Sequence, residues 1–281
     1  MGPVEFLGAV FATALLAGGI GAVLGLGGGI LLVPILTMFF GVNLHYAMGA
    51  SLVSVIATSS GAAAAYLKQG LSNIRIGLFL VMATTSGALV GAALTGIVPA
   101  RALELILGLA LAYSAYTTVR QLNVEIPAEL PADPLALRFD LGGTYYDLRL
   151  QQEVKYRAAH VRAGFAAMFG AGLLSGLLGI GSGAFKVLAM DYIMRLPMKV
   201  STATSNFMIG ITAAASAGVY FSRGDIHPVI AAPVAVGVLV GASLGTALMA
   251  RMRNATVRKV FLPVIVYLAA AMILRGLGVT S

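Results

Sequence analysis

Apolar residues run along this chain in stretches that no charged side chain interrupts. These stretches are Phe6–Leu67, Ile76–Ala100, Ala163–Phe185, Ser201–Ser222 and Ile226–Ala250. An α-helix needs about 20 apolar residues to cross a bilayer, and each of the shorter stretches is close to that length. The pattern therefore predicts an integral membrane protein of the all-α class.

The second half of the chain repeats the first half at a constant offset. Phe11 matches Phe165 (165 − 11 = 154), and Tyr66 matches Tyr220 in the same way. Further pairs at this offset are Gly18 with Gly172, Gly25 with Gly179, Gly27 with Gly181, Gly29 with Gly183, Ser51 with Ser205, Gly70 with Gly224, Gly87 with Gly241 and Gly91 with Gly245. Two apolar copies with glycine breaks at matching places are typical of transporters whose site lies between the repeats.

Each copy predicts a long helix, a glycine-rich break, a short helix and three spans. In the first copy the helices are Val4–Leu24, Ile30–Phe40, Leu44–Leu67, Ile74–Val98 and Ala102–Val119. In the second copy they are Val161–Leu178, Ala184–Arg195, Met198–Phe221, His227–Met249 and Ala255–Arg275. The short helix cannot cross a bilayer alone, so we expect each copy to open with a re-entrant helical hairpin tipped by its glycines. Two full crossings per opening segment would give the same sidedness and remain an alternative.

The distribution of basic residues predicts how the two copies are oriented. If the copies are inverted, fourteen basic residues share one side, namely Lys68, Arg75, Arg120, Arg138, Arg149, Lys155, Arg157, Arg162, Arg195, Lys199, Arg251, Arg253, Arg258 and Lys259. Only Arg101, Arg223 and Arg275 then face the other side, whereas copies of the same orientation divide these residues ten to seven. Basic loops stay in the cytoplasm, so we predict two inverted-topology repeats with periplasmic termini.

The segment between the copies differs from both in composition. It holds six of the ten acidic residues. Alternating apolar and polar residues at 135–141 and 144–150 flank Gly142 and Gly143, a pattern that predicts a small cytoplasmic β-hairpin with these glycines at its turn. We interpret the segment as a structured linker, and a regulatory or partner-binding insert is the alternative. The chain thus divides into a first repeat at 1–120, a linker at 121–160 and a second repeat at 161–281.

Composition narrows the classes of function. Hydrophobic residues make up 59% of the chain and charged residues 10%, whereas soluble domains carry about 25% charged residues. The net charge of +8 lies mostly in loops beside the spans, so it does not indicate nucleic-acid binding. The chain has no cysteine and three histidines, which argues against metal sites. Hydrolase and phosphate-loop motifs are absent, so we expect neither an enzyme nor a cofactor.

The matched breaks place small residues directly before each short helix. These candidate binding residues are Gly27, Gly28, Gly29, Gly181, Ser182 and Gly183. Glycine lets the backbone approach a ligand closely, and the start of a helix offers unpaired N–H groups that attract an anion. Two such starts that meet near the middle of the membrane would form an anion site. Close packing of helices through small residues is the alternative.

Polar side chains on the helix after each hairpin complete the candidate site. Ser51, Ser205 and Asn206 are expected opposite the hairpin tips, although helix–helix hydrogen bonds would also account for them. Lys186 follows the second break by three residues, where the first copy has an apolar residue. A lysine at this depth needs a partner, and a substrate anion would supply one. Extension to the cytoplasm or pairing with Asp191 is the alternative.

The motifs resemble those of a known family. Gly25-Leu-Gly-Gly-Gly-Ile-Leu-Leu-Val-Pro-Ile-Leu36 and Ala47-Met-Gly-Ala-Ser-Leu52 are similar to motifs of the TauE/SafE sulfite exporters. Gly176-Leu-Leu-Gly-Ile-Gly-Ser-Gly-Ala184 and Ser201-Thr-Ala-Thr-Ser205 resemble that family's second repeat. The resemblance implies export of sulfite or of an organosulfonate such as sulfoacetate, driven by an ion gradient. The second copy departs from the pattern, because Ser182 replaces a glycine and no proline matches Pro34.

Taken together, the residues and the resemblance predict a bacterial inner-membrane transporter that works by alternating access. Its partners would be a small sulfur-containing anion, the lipid bilayer and a coupling ion, either a proton or sodium. The sequence does not predict an oligomeric state. A channel or uptake carrier for another small anion is one alternative. A membrane accessory or assembly protein, with the linker hairpin as its docking surface, is another.

Overall fold

The computed structural model describes residues 2–24, 27–120, 133–147, 151–181, 183–249 and 254–279. The first copy forms α1 (Pro3–Leu24), α2 (Gly29–Phe39), α3 (Leu44–Lys68), α4 (Ile74–Thr95) and α5 (Ala100–Arg120). The linker forms α6 (Pro134–Arg138), β1 (Gly142–Asp147) and β2 (Gln152–Arg157). The second copy forms α7 (Val161–Leu178), α8 (Gly183–Leu188) with a π-helical turn at Ala189–Ile193, α9 (Met198–Ser222), α10 (Pro228–Met249) and α11 (Asn254–Gly276).

The ten helices predicted from the apolar pattern are present, with ends close to the predicted ones. Local residues fix several of these ends. Asn43 and Asn73 precede α3 and α4, and each side chain accepts a hydrogen bond from a backbone N–H in the first turn, which stabilises a helix start. Gly70 and Gly224 follow α3 and α9 with φ angles of 67° and 76°, the left-handed conformation that commonly ends a helix.

Much of the helical part is apolar enough to lie in a membrane. Among the described residues, five helices are long and apolar enough to cross one, namely α1, α3, α4, α7 and α10. Large apolar side chains also lie on the outside of the bundle, where Ile97 is 79% exposed and Phe221 is 73% exposed. Side chains exposed in this way suit contact with lipid. The chain is therefore a multi-pass helical membrane protein.

The two copies pack on each other through equivalent pairs of helices. α1 lies against α10, and its counterpart α7 lies against α4, while α3 contacts α9 and α5 contacts α11. Glycines allow the closest of these contacts. A Cβ on Gly172 would overlap the carbonyl oxygen of Thr84, and a Cβ on Gly241 would overlap that of Leu15. Gly172 and Gly241 therefore serve helix packing.

The contacts between α1 and α10 proceed in the same direction along both helices. Gly241 approaches Leu15, and Gly245, one turn further along α10, approaches Gly19, one turn further along α1. These two helices are therefore parallel. α1 is the first helix of the first copy, and α10 is the fourth helix of the second copy. Any arrangement of the two copies must therefore keep these two helices parallel.

The contacts between α5 and α11 proceed in opposite directions. Gly108 of α5 approaches Ile273 of α11, whereas Gly276, near the end of α11, approaches Leu105, closer to the start of α5. The two helices are therefore antiparallel. Since α5 and α11 occupy the same position in their copies, equivalent elements run in opposite directions where they touch.

The linker hairpin is present, but its position in the sequence differs from the prediction. β1 pairs with β2 in antiparallel register, so Gly142 and Gly143 open β1 rather than form the turn. The predicted first strand is instead the helical turn α6. Asp133 caps that turn by accepting a bond from the Leu135 N–H at 2.8 Å, and Pro134 occupies its first position. An aspartate cap followed by proline favours the start of a helix. This local preference prevailed over the strand preference of the alternating pattern.

The linker docks against helix ends from both copies. Asn73, at the start of α4, donates hydrogen bonds to the Gly142 carbonyl at 2.9 Å and to the Tyr156 hydroxyl at 3.0 Å. Lys199, in the first turn of α9, forms a buried ion pair with Asp147 of β1 at 3.0 Å. Burial raises the pKa of the Tyr156 hydroxyl, because it disfavours the charged phenolate.

Candidate functional site

In the first copy, α1 and α2 form a helical hairpin whose open ends lie together. At the tip, a Cβ on Gly28 would lie 3.0 Å from the Ala17 carbonyl oxygen of α1. At the open end, the rings of Phe6 and Phe40 meet edge to face, with centroids 5.8 Å apart. Gly27 and Gly28 have φ angles of 73° and 72°, a left-handed conformation that glycine adopts without a Cβ clash. The break therefore depends on these glycines.

The second copy forms the same kind of hairpin with different side chains. Gly181 has a φ angle of 73°, the same value as its counterpart in the first copy. At the open end, the Ala159 N–H donates to the Met194 carbonyl at 2.9 Å, and Met194 is the counterpart of Phe40. The returning segment changes from α-helix to a π-helical turn after α8. Ser182, a predicted binding residue, lies outside the described residues.

The two glycine tips touch inside the bundle. A Cβ on Gly29, at the start of α2, would lie 3.1 Å from the Ile180 carbonyl oxygen of the second tip. Gly27 and Gly181 both approach Val55 of α3, with distances of 3.3 and 2.8 Å from a built Cβ to its Cγ1 atom. All five residues are buried. The structure thus brings the two breaks into contact around an apolar side chain.

Each short helix begins beside a serine of the long helix that follows it. The Ser51 Oγ atom lies 2.5 Å from where a Gly29 Cβ would be, and Ser205 Oγ donates to the Gly183 carbonyl at 3.4 Å. Both serines are completely buried. The first N–H groups of a helix have no partner within it and carry partial positive charge. Each copy therefore places a hydroxyl next to a helix start, and the two arrangements are counterparts.

Asn206 is buried one residue beyond Ser205. Its Nδ2 atom donates to the carbonyls of Ala22 and Thr202, both at 3.1 Å. Among the residues that the structure describes, the Oδ1 atom of Asn206 and the Oγ atom of Ser51 are buried without a hydrogen-bond partner. Such an atom costs about 1–3 kcal/mol. A ligand or water at these two atoms would therefore be stabilised, Asn206 offering an acceptor and Ser51 a hydroxyl.

Two tyrosines stabilise the broken helices, a role that the sequence did not predict. Tyr66 donates to the Ala22 carbonyl of α1 at 3.0 Å, and its counterpart Tyr220 donates to the Gly176 carbonyl of α7 at 2.9 Å. The last carbonyl groups of a helix have no partner within it, so these hydroxyls satisfy backbone that the breaks leave open. The two tyrosines match each other at the offset between the copies, and this match is the sequence signal that could have identified their role.

Lys186 is completely buried on α8, which excludes extension of its side chain to the cytoplasm. Its Nζ atom donates to Thr212 of α9 at 2.9 Å, and Thr212 contacts the Thr84 hydroxyl of α4 at 3.1 Å. Within the described part of the chain, no carboxylate oxygen lies within 4.0 Å of Nζ. Asp191 has interactions of its own. Thr84 was not predicted, because nothing in the sequence indicates that α4 packs against α9 beside Lys186.

Comparison with known proteins gives consistent matches. The family described as Sulfite exporter TauE/SafE matches residues 10–272. Probable membrane transporter protein YunE of Bacillus subtilis (strain 168) is 26% identical over 270 residues, which cover 94% of this chain and 96% of that protein. Probable membrane transporter protein YdhB of the same organism is 28% identical over 224 residues, which cover 79% and 82%. No solved structure matches the chain significantly.

Proposed function

Since this chain belongs to the sulfite exporter TauE/SafE family and is a membrane transporter, we propose that it exports a small sulfur-containing anion across the bacterial inner membrane. Sulfite and organosulfonates such as sulfoacetate are the substrates that we assign to it. One observation carries the proposal: two glycine-tipped hairpins meet inside a duplicated bundle, beside buried serine hydroxyls.

The proposal includes an inverted relation between the two copies. The antiparallel contact of α5 with α11 supports it, because equivalent helices of copies with the same orientation would run parallel. The parallel contact of α1 with α10 fits the same arrangement, in which both helices run from the periplasm toward the cytoplasm. The distribution of basic residues is independent support, since the inverted arrangement places the linker and most basic side chains in the cytoplasm.

The proposal also makes each opening segment a re-entrant hairpin. The contact of Phe6 with Phe40 returns the chain to the end of α1 from which it started. Gly28 lies beside Ala17 and Gly21 of α1, eleven to fifteen residues from Phe6, which corresponds to about 16–22 Å of helix. A bilayer core is about 30 Å thick, so a hairpin of this length would end inside the membrane.

The proposed anion site uses backbone and hydroxyl donors. The starts of α2 and α8, at Gly29 and Gly183, would offer N–H groups to the sulfonate or sulfite oxygens. Ser51 would donate from one side, and Ser205 from the other once its long bond to the Gly183 carbonyl breaks. Lys186 would supply positive charge from α8. Such donors act more strongly in a dry protein interior than in water. A trigonal or tetrahedral oxyanion can accept from several of them together, which favours sulfur oxyanions over a planar carboxylate.

Transport would require the two halves to move against each other. The tips and the serines are buried in this structure, so an anion at this place would be closed off from both sides. Rocking of one copy against the other would open the site first to the cytoplasm and then to the periplasm. On the cytoplasmic side, the contacts of the linker with α4 and α9 would have to separate or move together during this step.

Flux measured with the purified protein in liposomes tests the proposal. We expect saturable efflux of sulfite and sulfoacetate, faster than from protein-free liposomes, with little efflux of a carboxylate such as acetate. A channel would give flux without coupling to an ion gradient, and an assembly protein would give none. Either result would overturn the proposal.

Serine variants locate the site in the same assay. We expect Ser51→Ala and Ser205→Ala to raise the KM for sulfite about tenfold or more, because a hydrogen bond to a charged group contributes about 1.5–3 kcal/mol. Ser243→Ala is the matched control. Ser243 is exposed on α10, and its hydroxyl donates to the Leu239 carbonyl of its own helix, so its replacement should leave the KM unchanged.

A further inference from the structure

One polar cluster joins α8 and α9 of the second copy to α4 of the first, and two of its three members have apolar counterparts. It consists of Lys186, Thr212 and Thr84, which are joined by contacts of 2.9 and 3.1 Å. The counterparts of Lys186 and Thr84 are Leu32 and Val238, both apolar and completely buried. Two copies that came from one duplicated unit therefore differ at this place by a buried amine and a buried hydroxyl.

The hydrogen bond of Lys186 is compatible with two charge states. Thr212 donates its own hydroxyl hydrogen to the Met208 carbonyl at 3.0 Å, so its oxygen accepts the bond from the Lys186 Nζ atom. A neutral amine and an ammonium can both donate this bond, and the contact persists in either form. An ammonium in this setting is costly without a counter-ion. The cluster therefore stabilises the neutral amine until a negative charge arrives.

The surroundings of Lys186 offer few charges that would compete with an anion. On the elements that pack against α8 or carry the threonines, the charged residues near helix ends are Arg75 on α4, Arg101, Glu104 and Arg120 on α5, Arg162 on α7, and Lys199 and Arg223 at the two ends of α9. Asp191, on the π-helical turn, is buried and has interactions of its own. Lys199 is paired with Asp147, and Glu104 lies 3.8 Å from Arg275. Among the described contacts of Lys186 Nζ, no carboxylate supplies a counter-charge, so a bound anion would supply one.

We propose that Lys186 is the proton-binding residue of the transport cycle, so that one proton travels with each anion. This inference rests on the function proposed above and names its coupling ion. When an anion enters, the lone pair of Nζ accepts a proton from a hydronium ion on that side, so an O–H bond breaks, an N–H bond forms and a water molecule remains. When the anion leaves on the other side, that bond breaks and the proton returns to water there. The proton offsets one negative charge of the anion inside the membrane.

Calorimetry of anion binding to the purified protein tests this inference. Sulfoacetate is the probe, because it neither gains nor loses protons itself near pH 7.5. Binding is measured in phosphate and in Tris, buffers with different heats of ionisation, and the difference in heat gives the number of protons taken up for each anion. We expect an uptake close to one for the wild type. Lys155→Leu, a change on the exposed face of β2, should leave that number unchanged.

Two variants separate the proton from the positive charge. Lys186→Arg keeps a charge that cannot be released, so we expect sulfoacetate to bind with no proton uptake. Lys186→Leu restores the residue of the first copy, and we expect weaker binding, also without proton uptake. Anion binding by the wild type with no proton uptake would overturn the inference and leave the proposed function standing. Proton uptake that persists in either variant would also overturn it. Failure of the wild type to bind any anion would overturn the proposed function itself.

Discussion

Replacing Gly29 with alanine would place a methyl group where the two hairpin tips touch. The new Cβ would lie 2.5 Å from Ser51 Oγ, 2.7 Å from Val55 Cγ2 and 3.1 Å from the Ile180 carbonyl oxygen. Ser51 can rotate away, but the stiff β-branched valine and the backbone carbonyl cannot. The tips would therefore have to separate, and the proposed anion site would lose its shape.

The size of the effect follows from packing energetics. An extra methyl group in a well-packed interior costs about 1–3 kcal/mol, and the helix preference of alanine over glycine recovers up to about 1 kcal/mol of that. The three short contacts place this change at the upper end of the range, which leaves about 2 kcal/mol; if that cost falls on the bound state, the affinity for sulfite should drop about 30-fold. The chain should still fold, because the apolar core around the tips is otherwise unchanged.

Calorimetric titration with sulfite measures this effect, and circular dichroism at 222 nm checks the fold. Gly170→Ala is the matched control, since Gly170 is an exposed helical glycine of α7 and nothing lies within 4 Å of its built Cβ. We expect the control to bind sulfite as the wild type does. Wild-type affinity in Gly29→Ala would refute the reasoning, because it would place the anion away from the contact between the tips.

Three further predictions concern the fold, its orientation and the linker. Gly172→Ala should lower the melting temperature strongly while Gly170→Ala should not, and equal melting temperatures would contradict the close contact of α7 with α4. The chain has no cysteine, so in spheroplasts an impermeant maleimide should label Ser222→Cys but not Gln69→Cys; equal labelling of both would contradict inverted copies. Asp147→Asn should lower the melting temperature by about 5–15 °C by leaving a buried lysine unpaired, and an unchanged temperature would mean that the ion pair does not hold the linker.

The helices could be predicted from the sequence because each depends on local composition. Charge-free stretches fixed the spans, and glycines marked the breaks in both copies. The linker hairpin was misplaced because two local signals competed. The alternating pattern at 135–141 favoured a strand, but Asp133 and Pro134 started a helical turn. The two strands lie further along the chain, at Gly142–Asp147 and Gln152–Arg157.

The site could be predicted only in part. The sequence placed Ser51 and Ser205 on the helices after the breaks, and the structure puts each beside the start of a short helix. One partner of Asn206, the Ala22 carbonyl, comes from the other copy. So does the Thr84 hydroxyl, which contacts Thr212 beside Lys186. Both belong to helices far away in the chain, and no spacing in the sequence predicts such contacts.

The location of a bound anion tests the proposed site most directly. Selenite is a heavier analogue of sulfite, and anomalous diffraction from crystals grown with it locates the selenium atom without ambiguity. We predict a peak between the glycine tips, within about 4 Å of the hydroxyl of Ser51 or Ser205, the distance expected when selenite oxygens accept hydrogen bonds. A peak found only among the basic residues of the cytoplasmic loops, with none between the tips, would contradict the account.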